Sequence, residues 1–235
     1  HLASLPLPLL VEVDAPSVDV GGVEAAATGT GAPEAATSGT AAPGVATEAA
    51  DRAAMTEEDR RFVDETRLRR DLGAVHRVLG ISTWLSMTGT VVLGFIQYYD
   101  LYGIQASLAD APCTTGTAVL QDQCWGTPWP HLTSAIATSA LYTATFSLSL
   151  AMPDPNHLSE GSGQFAERIR AHQILRWIHL VGMVAQTVLG LGVANGWFGD
   201  RANDYETLQI VAGVHQAIGW TTWFTVGLAG AIMLF

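Results

Sequence analysis

Three apolar stretches of the chain carry the same local pattern, which is a histidine, a small residue four positions later and a threonine seven positions later. On an α-helix these positions lie on one face. A histidine within a membrane-spanning helix is costly and is a functional candidate by default. The pattern occurs as His76, Gly80 and Thr83, as His131, Ala135 and Thr138, and as His215, Gly219 and Thr222.

A fourth stretch, residues 167–197, breaks this pattern but carries His172 and His179, seven residues apart on one helical face. Neutral imidazole is a common axial ligand of haem iron. Helices at opposite corners of a four-helix bundle can each offer one histidine. Small residues beside the histidines leave room for a flat macrocycle, although they also let bare helices pack closely. The residues therefore predict two haem b groups, held by histidines.

The depth of each histidine in its helix indicates the pairs. His131 lies 21 residues before Met152 and His215 lies 20 before Phe235, so these two form the predicted outer pair. His76 belongs to the inner side. Counting residues from the outer ends favours His172 as its partner, whereas a short electron path between the haems favours His179. We expect His76 to pair with His179.

The remaining histidine of that stretch is expected to hydrogen-bond a haem propionate or a quinone. Three arginines near the inner ends, Arg77, Arg170 and Arg176, suit propionates because a guanidinium pairs well with a carboxylate.

The elements that position these residues are four uncharged stretches, each long enough to cross a bilayer as a helix. They cover residues 78–99, 129–152, 177–198 and 207–235. Of the 235 residues, 49% are hydrophobic and only 14% are charged, which is typical of a membrane protein. The net charge of −11 argues against binding to nucleic acid. The predicted fold is all-α, a four-helix transmembrane bundle with a long, mostly irregular N-terminal tail.

The chain before the bundle divides into two parts. Residues 1–54 are rich in Ala, Gly, Thr and Pro and bury too little to fold alone. We expect this tail to dock on other subunits of a membrane complex, or alternatively to lie over its own chain. Residues 55–70 are predicted to form an amphipathic interfacial helix, in which Thr56 and Asp59 resemble a capping box. Residues 71–235 are the predicted haem-binding domain.

Cys113 and Cys124 share the loop between the first two spans and do not form a CxxC pair. A disulfide is the preferred prediction over two free thiols, and it places this loop in an oxidising compartment. Ten of the eleven arginines lie on the opposite side of the predicted spans. The positive-inside rule then places the N-terminus in the cytoplasm and the cysteine loop outside. A bacterial inner membrane or another energy-transducing membrane is expected.

Histidines on all four spans, paired first with third and second with fourth, resemble the four-helix core of the cytochrome b561 family and related bacterial di-haem cytochromes. The resemblance covers residues 69–235. It implies transmembrane electron transfer, with His76 and a histidine of the third span as inner iron ligands and His131 and His215 as outer ligands. Ascorbate-using members carry lysine at the substrate surface, and this sequence has none, so ascorbate is not the expected donor.

The alternative function is that of a haem-free structural subunit of a respiratory or photosynthetic complex. A thiol oxidoreductase is disfavoured because the two cysteines have ten residues between them and do not form a CxxC pair. The sequence contains no GxSxG elbow, no Walker loop and no GxGxxG motif that would indicate a nucleophilic or phosphate-binding site.

Overall fold

The computed structural model describes residues 55–234, and this part of the chain is all-α, as predicted. The predicted irregular tail, residues 1–54, lies outside the described residues, as does Phe235. The helices are α1 (Glu57–Tyr102), α2 (Pro112–Thr115), α3 (Trp129–Ala151), α4 (Gln164–Ala194) and α5 (Tyr205–Leu234), with a short 3-10 turn at Gln121–Gln123.

Helix α1 is one uninterrupted helix of 46 residues, so the boundary predicted at residue 70 is not a helix end. Residues 55–70 consist mostly of good helix formers. The single glycine that follows, Gly73, costs about 1 kcal/mol in a helix interior, which does not break it. The predicted cap at the start is present: the Asp59 N–H donates to Thr56 Oγ1 (3.1 Å), and the Thr56 hydroxyl donates to the Asp59 carboxylate (2.6 Å).

Two helices, α1 and α4, are long and apolar enough to cross a membrane. At about 1.5 Å per residue α1 is roughly 69 Å long, more than twice the roughly 30 Å of a hydrocarbon layer. Its charged N-terminal third therefore extends beyond the apolar segment. Helix α3 has no charged residue, but eight of its 23 residues are serine or threonine, which lowers its mean hydropathy.

The four long helices form a ring in the order α1, α3, α4, α5. Helix α1 packs on α3 and α5, and α4 packs on α5. Trp84 of α1 stacks on Trp223 of α5, with ring centroids 5.6 Å apart. Tyr142 of α3 meets His179 of α4, which closes the ring. Helices α1 and α4 are therefore diagonal to each other, and so are α3 and α5.

The interior of the ring combines apolar and hydroxyl side chains. Met87, Val91 and Tyr142 are buried together. The threonines of the three repeated patterns, Thr83, Thr138 and Thr222, are only 1–3% exposed, so the patterned faces point into the ring. Their hydroxyls are satisfied within the bundle, for example by the 2.9 Å contact of Thr83 Oγ1 with Thr145 Oγ1.

The loop between α1 and α3 folds as a cap over one end of the ring. The predicted disulfide between Cys113 and Cys124 is confirmed, and both cysteines are buried. The fully buried carboxylate of Asp100 accepts hydrogen bonds from the loop through the N–H groups of Val119 (2.7 Å) and Leu120 (2.9 Å) and the amide of Gln123 (2.8 Å).

The opposite end is closed by the turn between α3 and α4. Arg69 of α1 donates to the Pro153 carbonyl (2.6 Å) and lies 3.0 Å from the Asp154 carboxylate. Arg170 of α4 donates to the carbonyls of Ser159 and Gly161.

Asp100→Asn is expected to destabilise the cap, because an amide presents one acceptor oxygen to three donors and turns its own N–H₂ towards them. A buried donor left unsatisfied costs about 1–3 kcal/mol. Thermal unfolding of the purified, oxidised protein measures this loss. Asp122→Asn is the control, because Asp122 is exposed in the same loop; equal melting temperatures for the two variants would contradict the role given to Asp100.

Candidate functional site: two histidine pairs

His131 of α3 and His215 of α5 meet across one diagonal of the ring, as the sequence predicts for the outer pair. Their ring centroids are 6.2 Å apart and the rings are nearly perpendicular, at 86°. His131 Nδ1 lies 3.2 Å from the Thr90 carbonyl oxygen. Because a carbonyl only accepts, Nδ1 carries the hydrogen and Nε2 keeps a lone pair.

The backbone of α1 makes room for His131 at one glycine. A Cβ atom added at Gly94 would lie 2.9 Å from Cε1 and 3.1 Å from Nδ1 of His131, closer than side chains tolerate. Gly190 of α4 faces His215 in the same way, but a Cβ there would lie 3.5 Å from Cε1, an ordinary contact.

His76 of α1 and His172 of α4 meet across the other diagonal, with ring centroids 6.1 Å apart at 84°. His76 Nδ1 donates to the Thr145 carbonyl (3.1 Å), and His172 Nδ1 donates to the Ala229 carbonyl (2.9 Å). Both rings are therefore fixed in the same tautomer, with Nε2 as the remaining acceptor.

The structure thus does not bring His76 to His179, the partner favoured by the sequence. His179 lies two turns further along α4, about 10 Å from His172 along the axis, and its Nδ1 is 2.8 Å from the Tyr142 hydroxyl. The count of residues from the helix ends indicates the partner found here, His172, whereas the argument from a short electron path does not.

The arginines predicted at the inner end lie apart from one another. Arg176 stands over the ring of Trp177, 5.2 Å from its centroid, and its Nη1 is 3.4 Å from the Ser149 carbonyl. Arg77 is exposed on α1. Arg170 holds the turn before α4, as described above.

The sequence predicts two haem b groups, with His76, His179, His131 and His215 as iron ligands, and a possible quinone. The structure corrects this expectation: residues 55–234 contain no group of three or more His, Cys, Asp or Glu side chains that could hold a metal ion. The histidines meet only in twos, and His179 is bonded to a tyrosine.

One half of the ring, α1 with α3, is repeated by the other half, α4 with α5, a signal that sequence reasoning missed. An offset of 96 residues relates α1 to α4 and takes His76 to His172 and Gly94 to Gly190. An offset of 84 relates α3 to α5 and takes His131 to His215, Thr138 to Thr222 and Thr145 to Ala229. The contacts repeat as well, since each half has a histidine bonded to a carbonyl of its partner helix and a glycine facing a histidine.

The repeat has one clear break, towards the end of the ring that carries His76 and His172. The offset of 96 places Arg176 where the first half has Gly80, and His179 where it has Thr83. In α4, the pattern of histidine, small residue and threonine is broken at these two positions alone. The offset of 96 selects His172, not His179, as the counterpart of His76.

No protein-family model, no curated protein and no solved structure matches this chain. The resemblance to the cytochrome b561 family therefore remains a prediction that rests on the histidine pattern.

Gly94→Ala is expected to destabilise the bundle, because the new methyl group collides with the His131 ring, which hydrogen-bonds the same helix. Overpacking of this kind costs about 1–3 kcal/mol. Gly89→Ala is the matched control: it lies in the same helix with nothing within 4 Å of the added Cβ, and it is expected to be neutral or slightly stabilising. Thermal unfolding compares the two, and a Gly94→Ala protein as stable as Gly89→Ala would show that His131 does not need this space.

Proposed function

We propose that this chain is a membrane-embedded electron-transfer subunit whose four long helices cross the bilayer. The observation that carries the proposal is the presence of two imidazole pairs, one on each diagonal of the ring and one towards each end. Imidazole is not itself a one-electron carrier, so the proposal requires a redox group, which the difference spectrum described below would detect.

The spacing of the pairs supports transfer across the membrane. In each long helix the histidine of a pair lies 14 residues from the position facing the other pair, as with His76 and Thr90 in α1 or His131 and Thr145 in α3. At about 1.5 Å per residue this is roughly 21 Å, which covers most of a hydrocarbon layer of about 30 Å.

The surface of the ring supports a lipid environment. Large apolar side chains are exposed on all four long helices, including Val78 (64%), Ile136 (61%), Val181 (69%) and Phe224 (61%). Extensive exposed apolar surface marks an interaction with membrane or protein. Helix α5 has no charged residue after Glu206, and α3 has none, so neither introduces a charge into the bilayer.

The orientation follows from the arginines and the disulfide. Within residues 55–234, nine of the ten arginines lie towards the end of the ring with His76 and His172, and this end faces the cytoplasm under the positive-inside rule. The cap with its buried disulfide then faces the oxidising side. Electrons pass between the inner pair and the outer pair, and so between the two compartments.

A structural membrane subunit without a redox group is the second candidate. It is favoured by the hydrogen bonds themselves, since each histidine bond to Thr145, Thr90 or Ala229 joins two neighbouring helices. Such bonds hold helices together in a membrane without any cofactor.

Difference spectroscopy separates the two candidates. Protein purified from its native membrane is oxidised with ferricyanide and reduced with dithionite, and mass spectrometry of an organic extract identifies any bound chromophore. We expect a redox difference spectrum with two components. His172→Ala removes one component and His215→Ala removes the other.

His157→Ala serves as the control, because His157 is exposed in the turn before α4, beside Glu160, and both components are expected to remain. A wild-type protein without any redox-dependent absorbance overturns electron transfer and leaves the structural candidate.

A further inference from the structure

We propose that the seam between α3 and α4, lined by Phe146, Ser149, Arg176 and Trp177, binds the phosphate of an anionic phospholipid from the cytoplasmic leaflet. The inference goes beyond electron transfer and needs no redox group. It rests only on the part of the proposed function that places the four long helices in a bilayer, with the end that carries His76 and His172 on the cytoplasmic side.

Arg176 is a partly buried cation without a counter-charge. Its Nε is shielded from solvent and has no hydrogen-bond partner, and its Nη1 makes only a long contact of 3.4 Å with the Ser149 carbonyl. Among residues 55–234, no Asp or Glu forms an ion pair with it, whereas Arg69 lies 3.0 Å from the Asp154 carboxylate. Shielding a charge from water without a partner is costly, so the site favours an anion.

The repeat shows that the fold does not require a cation at this position. The offset of 96 places Arg176 where α1 has Gly80. Helices α3 and α4 also approach each other less closely than α1 and α5, the equivalent pair in the repeat. Long side chains bridge the seam instead, such as the Phe146 and Trp177 rings, whose centroids are 5.9 Å apart. The guanidinium and the wider spacing are thus departures at the same seam.

Arg176 lies at the depth of the lipid headgroups. It is the last charged residue before the uncharged part of α4, residues 177–194, which is roughly 27 Å long, about the thickness of a hydrocarbon layer. Its neighbour Ser149 is two residues from the end of α3 at Ala151. Trp177 is 51% exposed, as expected of an aromatic residue at a membrane boundary.

A phospholipid satisfies both the charge and the apolar surface of the seam. Phosphate accepts two parallel hydrogen bonds from one edge of a guanidinium. Arg176 as a whole is only partly buried, so a change of its rotamer presents Nε to a phosphate at the mouth of the seam. The first carbons of the acyl chain then lie along Phe146 and Trp177, which a free phosphate leaves uncovered. Basic pockets between membrane helices on the cytoplasmic side bind anionic headgroups in this way.

Native mass spectrometry of the purified full-length protein in detergent is the test. The protein is titrated separately with phosphatidylglycerol and with phosphatidylcholine of the same acyl chains, so that only the headgroup differs. We expect the first phosphatidylglycerol to bind about tenfold more tightly than the first phosphatidylcholine, because a hydrogen bond to a charged group is worth roughly this factor. Arg176→Gln is expected to abolish the difference.

Arg77→Gln is the matched control. Arg77 stands at the same membrane boundary, directly before the uncharged stretch 78–99, but it is exposed on the surface of α1. We expect this variant to keep the tenfold preference. An equal loss in both variants indicates diffuse attraction by surface charge and overturns the site at the seam. Displacement of the lipid by inorganic phosphate at equal concentration overturns phospholipid as the ligand, in favour of a small anion.

Photo-crosslinking of the wild-type protein locates the lipid even if Arg176→Gln fails to fold. Phosphatidylglycerol with a diazirine near the carbonyl end of one acyl chain is incorporated into liposomes with the protein, and the cross-linked peptides are identified by mass spectrometry. Cross-links are expected around Phe146 and Trp177. Cross-links confined to α1 and α5, or spread evenly over the four long helices, overturn the site.

The lipid site and the proposed function fail separately in these experiments. A wild-type protein that floats with liposomes but binds the two lipids equally overturns the lipid site, leaves Arg176 as a cap on the end of α3 and leaves the proposed function intact. A protein that does not associate with liposomes overturns the membrane placement, and the lipid site falls with it. A protein that prefers phosphatidylglycerol but has no redox difference spectrum overturns electron transfer alone.

Discussion

The arrangement of the ring depends on one interaction, the hydrogen bond from a histidine Nδ1–H to a main-chain carbonyl of the neighbouring helix. Residues 55–234 contain three such bonds, from His76 to Thr145, from His131 to Thr90 and from His172 to Ala229. Each gives a buried N–H group an acceptor in an apolar interior, where an unpaired donor is costly. Each also fixes the depth of one helix against another, and so the level at which the two rings of a pair meet.

The bonds constrain the sequence around them. A helix carbonyl is reached only if the neighbouring backbone comes close, so a small residue has to stand where the ring passes, as Gly94 does for His131. The hydroxyl side chains that follow, such as Thr83 and Thr138, fill the interior without leaving unpaired donors, since they bond to one another across the helices. The histidines and threonines of the repeated pattern take part in this packing, whereas Gly94 stands outside the pattern.

Much of this could be predicted from the sequence because it is local. Uncharged runs define the long helices, the Thr56 cap defines the start of α1, and the two cysteines of one loop define the disulfide. The boundary at residue 70 is a wrong prediction although its cause is local, whereas the partner of His76 depends on tertiary packing. Helix α1 continues through residue 70 since nothing in the chain stops it, and His172 is selected by the carbonyl of Ala229, which lies 57 residues away.

The duplicated scaffold also makes its own departures informative. The pair of His76 and His172 is symmetric, because both rings donate from Nδ1 to equivalent carbonyls. The pair of His131 and His215 is not. The offset of 96 makes the Gln186 carbonyl the counterpart of Thr90, yet His215 Nδ1 is buried without a hydrogen-bond partner, and Gln186 instead donates its side-chain amide to the His215 carbonyl. His131 is fixed in one tautomer while His215 is not. The two ends of the ring therefore present chemically different imidazole pairs, although the backbone that holds them is repeated.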